Sequence, residues 1–232
     1  MQYTPTHTLS IEADDAANQF MRKVYGWMAF ALAISGGMAF YVANDPTIFN
    51  FIFSRGLFTA LIIVELGLVI ALSWLINKIN AFTATLFFVI YSLVTGLTLS
   101  VIFLAYEFNS IVSIFTSTAM IFAAMSIYGY ITRRNLTGIG TLAMFGLIGI
   151  IIASLINMFV GNGMVDTIIA GIGVIVFIVL TAYDTQKIKM MSLGHTAWTD
   201  DSKKAAISGA LMLYLDFINL FLSLLRLFGN RR

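Results

Sequence analysis

The sequence predicts an all-α polytopic membrane protein with seven transmembrane helices, and three observations carry that prediction. Residues AVILMFWYC make up 59% of the 232 and charged residues only 10%, where soluble domains carry about 25% charge. A soluble chain of this size could not solvate such a surface. The length holds roughly six to eight spans of about 20 residues with short connections. Finally, apolar runs of spanning length recur seven times between polar, glycine- or proline-containing breaks.

The elements follow in order. Residues 1–22 read as a polar, cytoplasmic N-terminal tail, helical from Ala13, and residues 23–232 as a single seven-helix domain. Span one covers about 25–42, with Ser35, Gly36 and Gly37 letting a neighbouring backbone approach closely. Asn44-Asp45-Pro46 ends it with a turn. Span two covers 57–76 and contains Glu65; Asn77, Lys78 and Asn80 form a short connection. Span three (82–106) carries Ser92, Thr95, Gly96 and Thr98 as a small, polar face. Span four (111–131) ends at Arg133-Arg134-Asn135. Span five (138–160) places Gly146, Gly149, Ala153 and Asn157 on one side, and Gly161-Asn162-Gly163 is a tight turn. Span six (165–191) has no breaker after Asp184 before Gly194, so its helix continues past that aspartate. Span seven covers 205–228.

Other features narrow the function. Cysteine is absent, which excludes disulfides, Fe–S clusters and thiolate metal sites. A net charge of +2 without a basic block argues against nucleic acid as a partner. The first twenty residues are polar and partly acidic (Glu12, Asp14, Asp15), and no small-residue cleavage site follows the first apolar run, so that run is expected to be retained. If every span crosses, one side receives Arg22, Lys23, Lys78, Arg133, Arg134, Lys187, Lys189, Lys203 and Lys204. The other receives Arg55, Arg231 and Arg232, with Arg226 near that boundary. This asymmetry puts the N-terminus and the 2–3, 4–5 and 6–7 loops in the cytoplasm. A full seventh crossing leaves the C-terminal arginines outside; a re-entrant last element would return them.

The costly residues are the intramembrane carboxylates. In span seven, Ser208, Asp216, Asn219, Ser223 and Arg226 recur every three or four residues as one polar stripe. A carboxylate there costs several kcal/mol (about 3 on insertion scales) unless it faces protein or water. At about 1.5 Å per residue Asp216 lies some 16 Å into its helix, and Asp184 lies on the neighbouring span. Two carboxylates sharing a desolvated site cannot both ionise easily, which makes them a proton switch. The plainer alternatives are an interfacial Asp184 paired with Lys187 or Lys189, and an Asp216 that only bonds between helices. Glu65 is either a cation way-station or a hydrogen-bonded residue locking spans two and three together. Lys78 is either a counter-charge for an aspartate or a terminal lysine reaching the interface. Arg133-Arg134 is a topology signal, and His195 a solvated imidazole without a partner at metal-ligand spacing.

Enzyme patterns are missing from the chain: there is no HExxH, GxSxG or P-loop. Tyr183-Asp184 matches half of an aspartyl intramembrane protease, but Leu-Tyr-Leu-Asp stands where Gly-x-Gly-Asp is needed. A retinal protein would need a lysine inside the last span. The expectation is a non-enzyme without a cofactor.

LTAYDTQKIKMM (180–191) and LYLDFINLFLSLLRLFG (213–229) resemble the two C-terminal motifs of the Bax inhibitor-1 (transmembrane BAX inhibitor motif) family. YSLVTGLTLSVIF (91–103) resembles its third-span motif and GLIGIIIASLINMF (146–159) its fifth. The polar N-terminus, VYGWM (24–28) and GNRR (229–232) are similar to its bacterial inner-membrane branch. The resemblance implies seven helices with the last enclosed by the other six, in the bacterial inner (plasma) membrane. It implies that Asp184 and Asp216 share a hydrogen bond as a pH sensor in a pH-sensitive calcium leak channel. Glu65 would then lie near the outer mouth, and Lys78 would be the basic partner, although lysine forks less well than arginine around a carboxylate. Transient Ca²⁺ is expected at Asp184, Asp216 and Glu65, supported by Asn219 and Ser223. Some bacterial relatives bind a membrane-anchored ATP-dependent protease. The alternatives are a non-transporting regulator of membrane proteolysis or stress response, and a proton-coupled solute transporter.

Overall fold

The computed structural model describes residues 5–54, 57–76, 78–193 and 198–232, with the backbone alone over 5–14 and at 54. The predicted His195 lies outside the described residues. Helix α1 (Pro5–Asn44) begins well before the expected span. Ala17, Phe20, Met21, Val24, Met28 and Ala31 are all buried, recurring every three or four residues so that one apolar stripe runs unbroken from the tail into the span. The end of the polar tail is therefore packed, because its few apolar residues fall on the same helical face as those of the span.

Asn44-Asp45-Pro46 ends α1 as expected, but it also starts an unforeseen helix, α2 (Pro46–Ser54). Asp45 Oδ1 accepts from the N–H groups of Thr47 at 2.9 Å and Ile48 at 3.2 Å, and Pro46 takes the first helical position, where a missing N–H costs nothing. The stacked rings of Phe49 and Phe53, 4.1 Å apart, give this short helix its apolar side.

Helices α3 (Leu57–Leu75) and α4 (Ala81–Leu99) follow. Asn80 caps α4 by accepting from Thr83 N–H at 2.8 Å, and the Asp200 carboxylate accepts from Ala81 N–H at 3.2 Å. Span three is completed by α5 (Ile102–Ala105). Next come α6 (Phe108–Ile131) and α7 (Thr137–Val160). The predicted glycine turn is present: Gly161 has φ +68°, a conformation that favours glycine. Asn162 Oδ1 then accepts from Met164 N–H at 2.9 Å, opening α8 (Gly163–Ser192). That helix continues past Asp184, as expected. The last helix, α9, is Asp200–Phe228.

Among the described residues, seven helices are long and apolar enough to cross a membrane. The first starts ten residues before its predicted span, at Asp15, and the last five before, at Asp200. The last is the most buried of them, at 56% of its apolar window, against 6% for Leu57–Leu75 and 11% for Thr137–Val160. It is one unbroken helix of 29 residues, about 44 Å long.

By its internal packing the chain groups into two compact units. The first comprises Met1–Val101 and Lys187–Leu211. Here α1 and α3 pack on α4 around buried Val24, Val42, Leu72 and Phe88. The close approach predicted for Gly36 and Gly37 is made elsewhere. A Cβ on either would meet nothing within 4 Å, whereas a Cβ on Gly96 would come 2.8 Å from Ser35 O and 2.7 Å from Met38 Cβ. Ser35 Oγ donates to Ser92 O at 2.7 Å. The narrow side of α4 therefore meets α1 at its serine, and the paired glycines of α1 face away.

The second unit comprises Ile102–Gln186 and Met212–Arg232. Its core holds Leu180, Leu213, Tyr214, Leu220 and Leu225, and the Phe217 ring lies edge-on to Phe115 and Phe122 at 5.2 and 5.4 Å. The C-terminal residues are tied to the start of α6. Asn230 N–H donates to Ser110 Oγ at 2.9 Å, Glu107 N–H to Asn230 O at 3.0 Å, and Arg232 N–H to Ala105 O at 3.1 Å. The terminal arginines thus sit at the end where span three finishes and span four begins.

Candidate functional site: a carboxylate pair between two helices

Within the second unit, α8 and α9 bring Asp184 and Asp216 together. Asp216 is only 5% exposed, Asp184 is half-buried, and their side chains share a hydrogen bond. An ionised carboxylate can only accept, so a bond between two carboxyl groups requires a proton on one of them. The other oxygen of Asp216, Oδ2, is buried without a hydrogen-bond partner among the described residues. Buried polar atoms are nearly always satisfied, which makes this oxygen an exception.

Several residues that sequence reasoning did not single out hold Asp184 in place. A Cβ on Gly129 of α6 would collide with the carbonyl oxygen of Ala182, and one on Gly140 of α7 would collide with the Tyr183 ring. Glycine at both positions lets α6 close on α8 two residues before Asp184 and α7 one residue before it. Thr185 Oγ1 donates to Ser126 Oγ at 3.4 Å. Gln186 closes the arrangement: its Nε2 donates to Arg134 O and its Oε1 accepts from Leu136 N–H, both at 2.9 Å. A glycine inside a span is a general packing signal. Only its neighbour tells which glycine matters, and that information is not local in sequence.

The predicted polar stripe is present, but its members turn inward to their own helix. Asn219 Nδ2 donates to Leu215 O at 2.8 Å and Ser223 Oγ to Asn219 O at 2.7 Å. Ser223 sits where a Cβ on Gly173 would be, 2.7 Å from its hydroxyl oxygen, so the stripe faces α8. Past it, Arg226 and Asp166 pair loosely at 3.7 Å, both partly exposed.

Glu65 and Lys78 belong to the first unit. Glu65 receives hydrogen bonds from Thr95 Oγ1 at 2.7 Å and Thr98 Oγ1 at 3.0 Å, and a third from the Tyr91 side chain. This is the arrangement of the locking residue, and Tyr91 is a partner that spacing alone did not suggest. Lys78 is exposed in the turn after α3, its N–H on Leu75 O at 2.7 Å, and forms no ion pair among the described residues. No group of three His, Asp or Glu side chains gathers among the described residues as a resident metal site would need.

Comparison with known proteins agrees with the motif reading. The family described as "Inhibitor of apoptosis-promoting Bax1" matches residues 17–232. The chain is 49% identical over 215 residues to the inner membrane protein YbhL of Escherichia coli (strain K12), covering 92% of each. It is 46% identical to an uncharacterized protein of Borreliella burgdorferi, with 93% of each covered. It is 39% identical to one of Rickettsia prowazekii, over 100% of this chain and 99% of the relative. The chain is therefore a polytopic membrane protein that belongs to the Bax inhibitor-1 family.

Proposed function

We propose that this protein is a pH-gated cation leak pathway of the bacterial inner membrane, with Ca²⁺ as the permeant ion and the N-terminus in the cytoplasm. The inner-membrane assignment follows the name of the Escherichia coli relative. The observation that carries the gating reading is the hydrogen bond between Asp184 and Asp216 beside a buried carboxylate oxygen with no partner. While one proton is shared, the pair holds α8 to α9. Losing it leaves two like charges side by side, and gaining a second removes the charge that strengthens the bond. Either change alters how the helices are held together. Ca²⁺ favours several hard oxygen ligands; two aspartates with the side-chain oxygens of Asn219 and Ser223 in the same stripe offer enough for passage and too few for storage. The role is transport without catalysis, and no cofactor takes part.

The test is calcium flux in liposomes loaded with a Ca²⁺ dye. Asp216→Asn keeps a hydrogen bond to Asp184 through the amide but removes the shared proton, so flux is expected to lose its pH dependence. A flux whose size and pH profile match the unsubstituted protein would overturn the mechanism.

A further inference from the structure

Where α1 passes from its polar to its apolar part, Arg22, Lys23, Gly26, Trp27 and Phe30 line a groove of ≈ 470 Å³. Arg22, Gly26 and Phe30 follow one another four residues apart along one helical line, and Lys23 and Trp27 form the line beside it. Gly26 makes the floor: a Cβ there would meet nothing within 4 Å, so the space above it is open. Phe30, half-exposed at 51%, lies at the apolar end with its ring edge-on to Trp27 at 5.9 Å.

The other end is cationic. Arg22 and Lys23 are exposed, and neither forms an ion pair among the described residues. Lys23 Nζ stands over the Trp198 ring at 3.3 Å from its centre. That contact fixes the ammonium in place without cancelling its charge. Asp15, the described acidic residue nearest on this helix, precedes Arg22 by seven positions, about 10 Å along the axis.

We propose that this groove binds an anionic glycerophospholipid, its phosphate on Arg22 and Lys23 and the upper part of one acyl chain over Gly26 towards Trp27 and Phe30. Two uncompensated cations joined to an aromatic, apolar channel match a molecule with an anionic head and an apolar tail. A soluble phosphate would use only the charged end. The tryptophans suit the same boundary, since indole settles at headgroup level.

The full chain carries three tryptophans, so Trp74→Phe leaves Trp27 and Trp198 as reporters. That protein is reconstituted into phosphatidylcholine vesicles containing increasing fractions of phosphatidylglycerol or phosphatidylcholine brominated high on the acyl chain. Brominated phosphatidylglycerol should quench at roughly tenfold lower mole fraction, as expected for two basic side chains at an anionic ligand. Arg22→Gln with Lys23→Gln should abolish the preference while circular dichroism shows an intact helical fold. Gly26→Leu, which keeps both charges and fills the groove, should also reduce it severalfold. Equal quenching by the two lipids, or a preference that survives either change, would overturn the proposal. So would displacement of the brominated lipid by millimolar glycerol phosphate, which would make the site one for a soluble anion.

Discussion

The two units each hold a carboxylate inside a membrane-length helix, and the two are treated differently. Glu65 accepts from the hydroxyls of Thr95 and Thr98, one on each oxygen, and from Tyr91. It fastens α3, a helix buried over only 6% of its apolar window, to α4. Asp216 bonds to another carboxyl group and keeps one buried oxygen without a partner among the described residues. A satisfied carboxylate stabilises one arrangement of helices. A pair that shares a proton changes its bonding when the proton does, and the proposed gating rests on that difference. The fold therefore gives two carboxylates different surroundings, although the sequence writes both as one acid in an apolar run.

That contrast can be broken from either side, and the largest effect is expected where packing is tightest. Gly129→Val places side-chain carbons against the Ala182 carbonyl, a clash with backbone that cannot turn aside. Such overpacking should lower stability by about 3 kcal/mol or more, measured as a fall in thermal midpoint in detergent; an unchanged midpoint would mean that α6 and α8 are not held so closely. Next comes Glu65→Leu, which removes three hydrogen bonds between α3 and α4. At about 0.6 kcal/mol each and at most 1.7 inside a membrane protein, the loss should be about 2 kcal/mol, with Glu65→Gln losing about half of that. If Glu65 only fastens, neither variant should alter the pH profile of calcium flux that Asp216→Asn is expected to flatten. A flattened profile in Glu65→Gln would merge the two roles. The smallest effect belongs to Arg226→Gln: the pair with Asp166 is long and half-exposed, and such pairs contribute under about 1 kcal/mol. Equilibrium unfolding should show almost no change, less still at high salt.

Much of this was legible in the chain. The run of α8 past Asp184 followed from the lack of any breaker, and the glycine turn at 161–163 from its composition. The aspartate pair combined the unusual placement of Asp216 with recognisable motifs on both sides of the 6–7 connection. Other features were misplaced or missed for one physical reason. Gly36, Gly37 and Gly149 look as suited to close packing as Gly96, Gly129 and Gly140, yet a Cβ on any of the first three would meet nothing within 4 Å. Small size permits an approach, and only the presence of another helix makes it happen. The same holds for Gln186, whose side-chain amide is unremarkable until residues 134–136 are brought beside it.

By itself, then, the sequence determined the helical class, the number of membrane-length helices and the place of each charge along its helix. A crossing helix satisfies its backbone hydrogen bonds within its own segment and has its length set by the bilayer, so these properties are local. The tertiary structure decided which groups each charge meets. Whether a buried carboxylate meets hydroxyls or another carboxyl group is settled by residues tens of positions away, brought within hydrogen-bonding distance only when the helices pack.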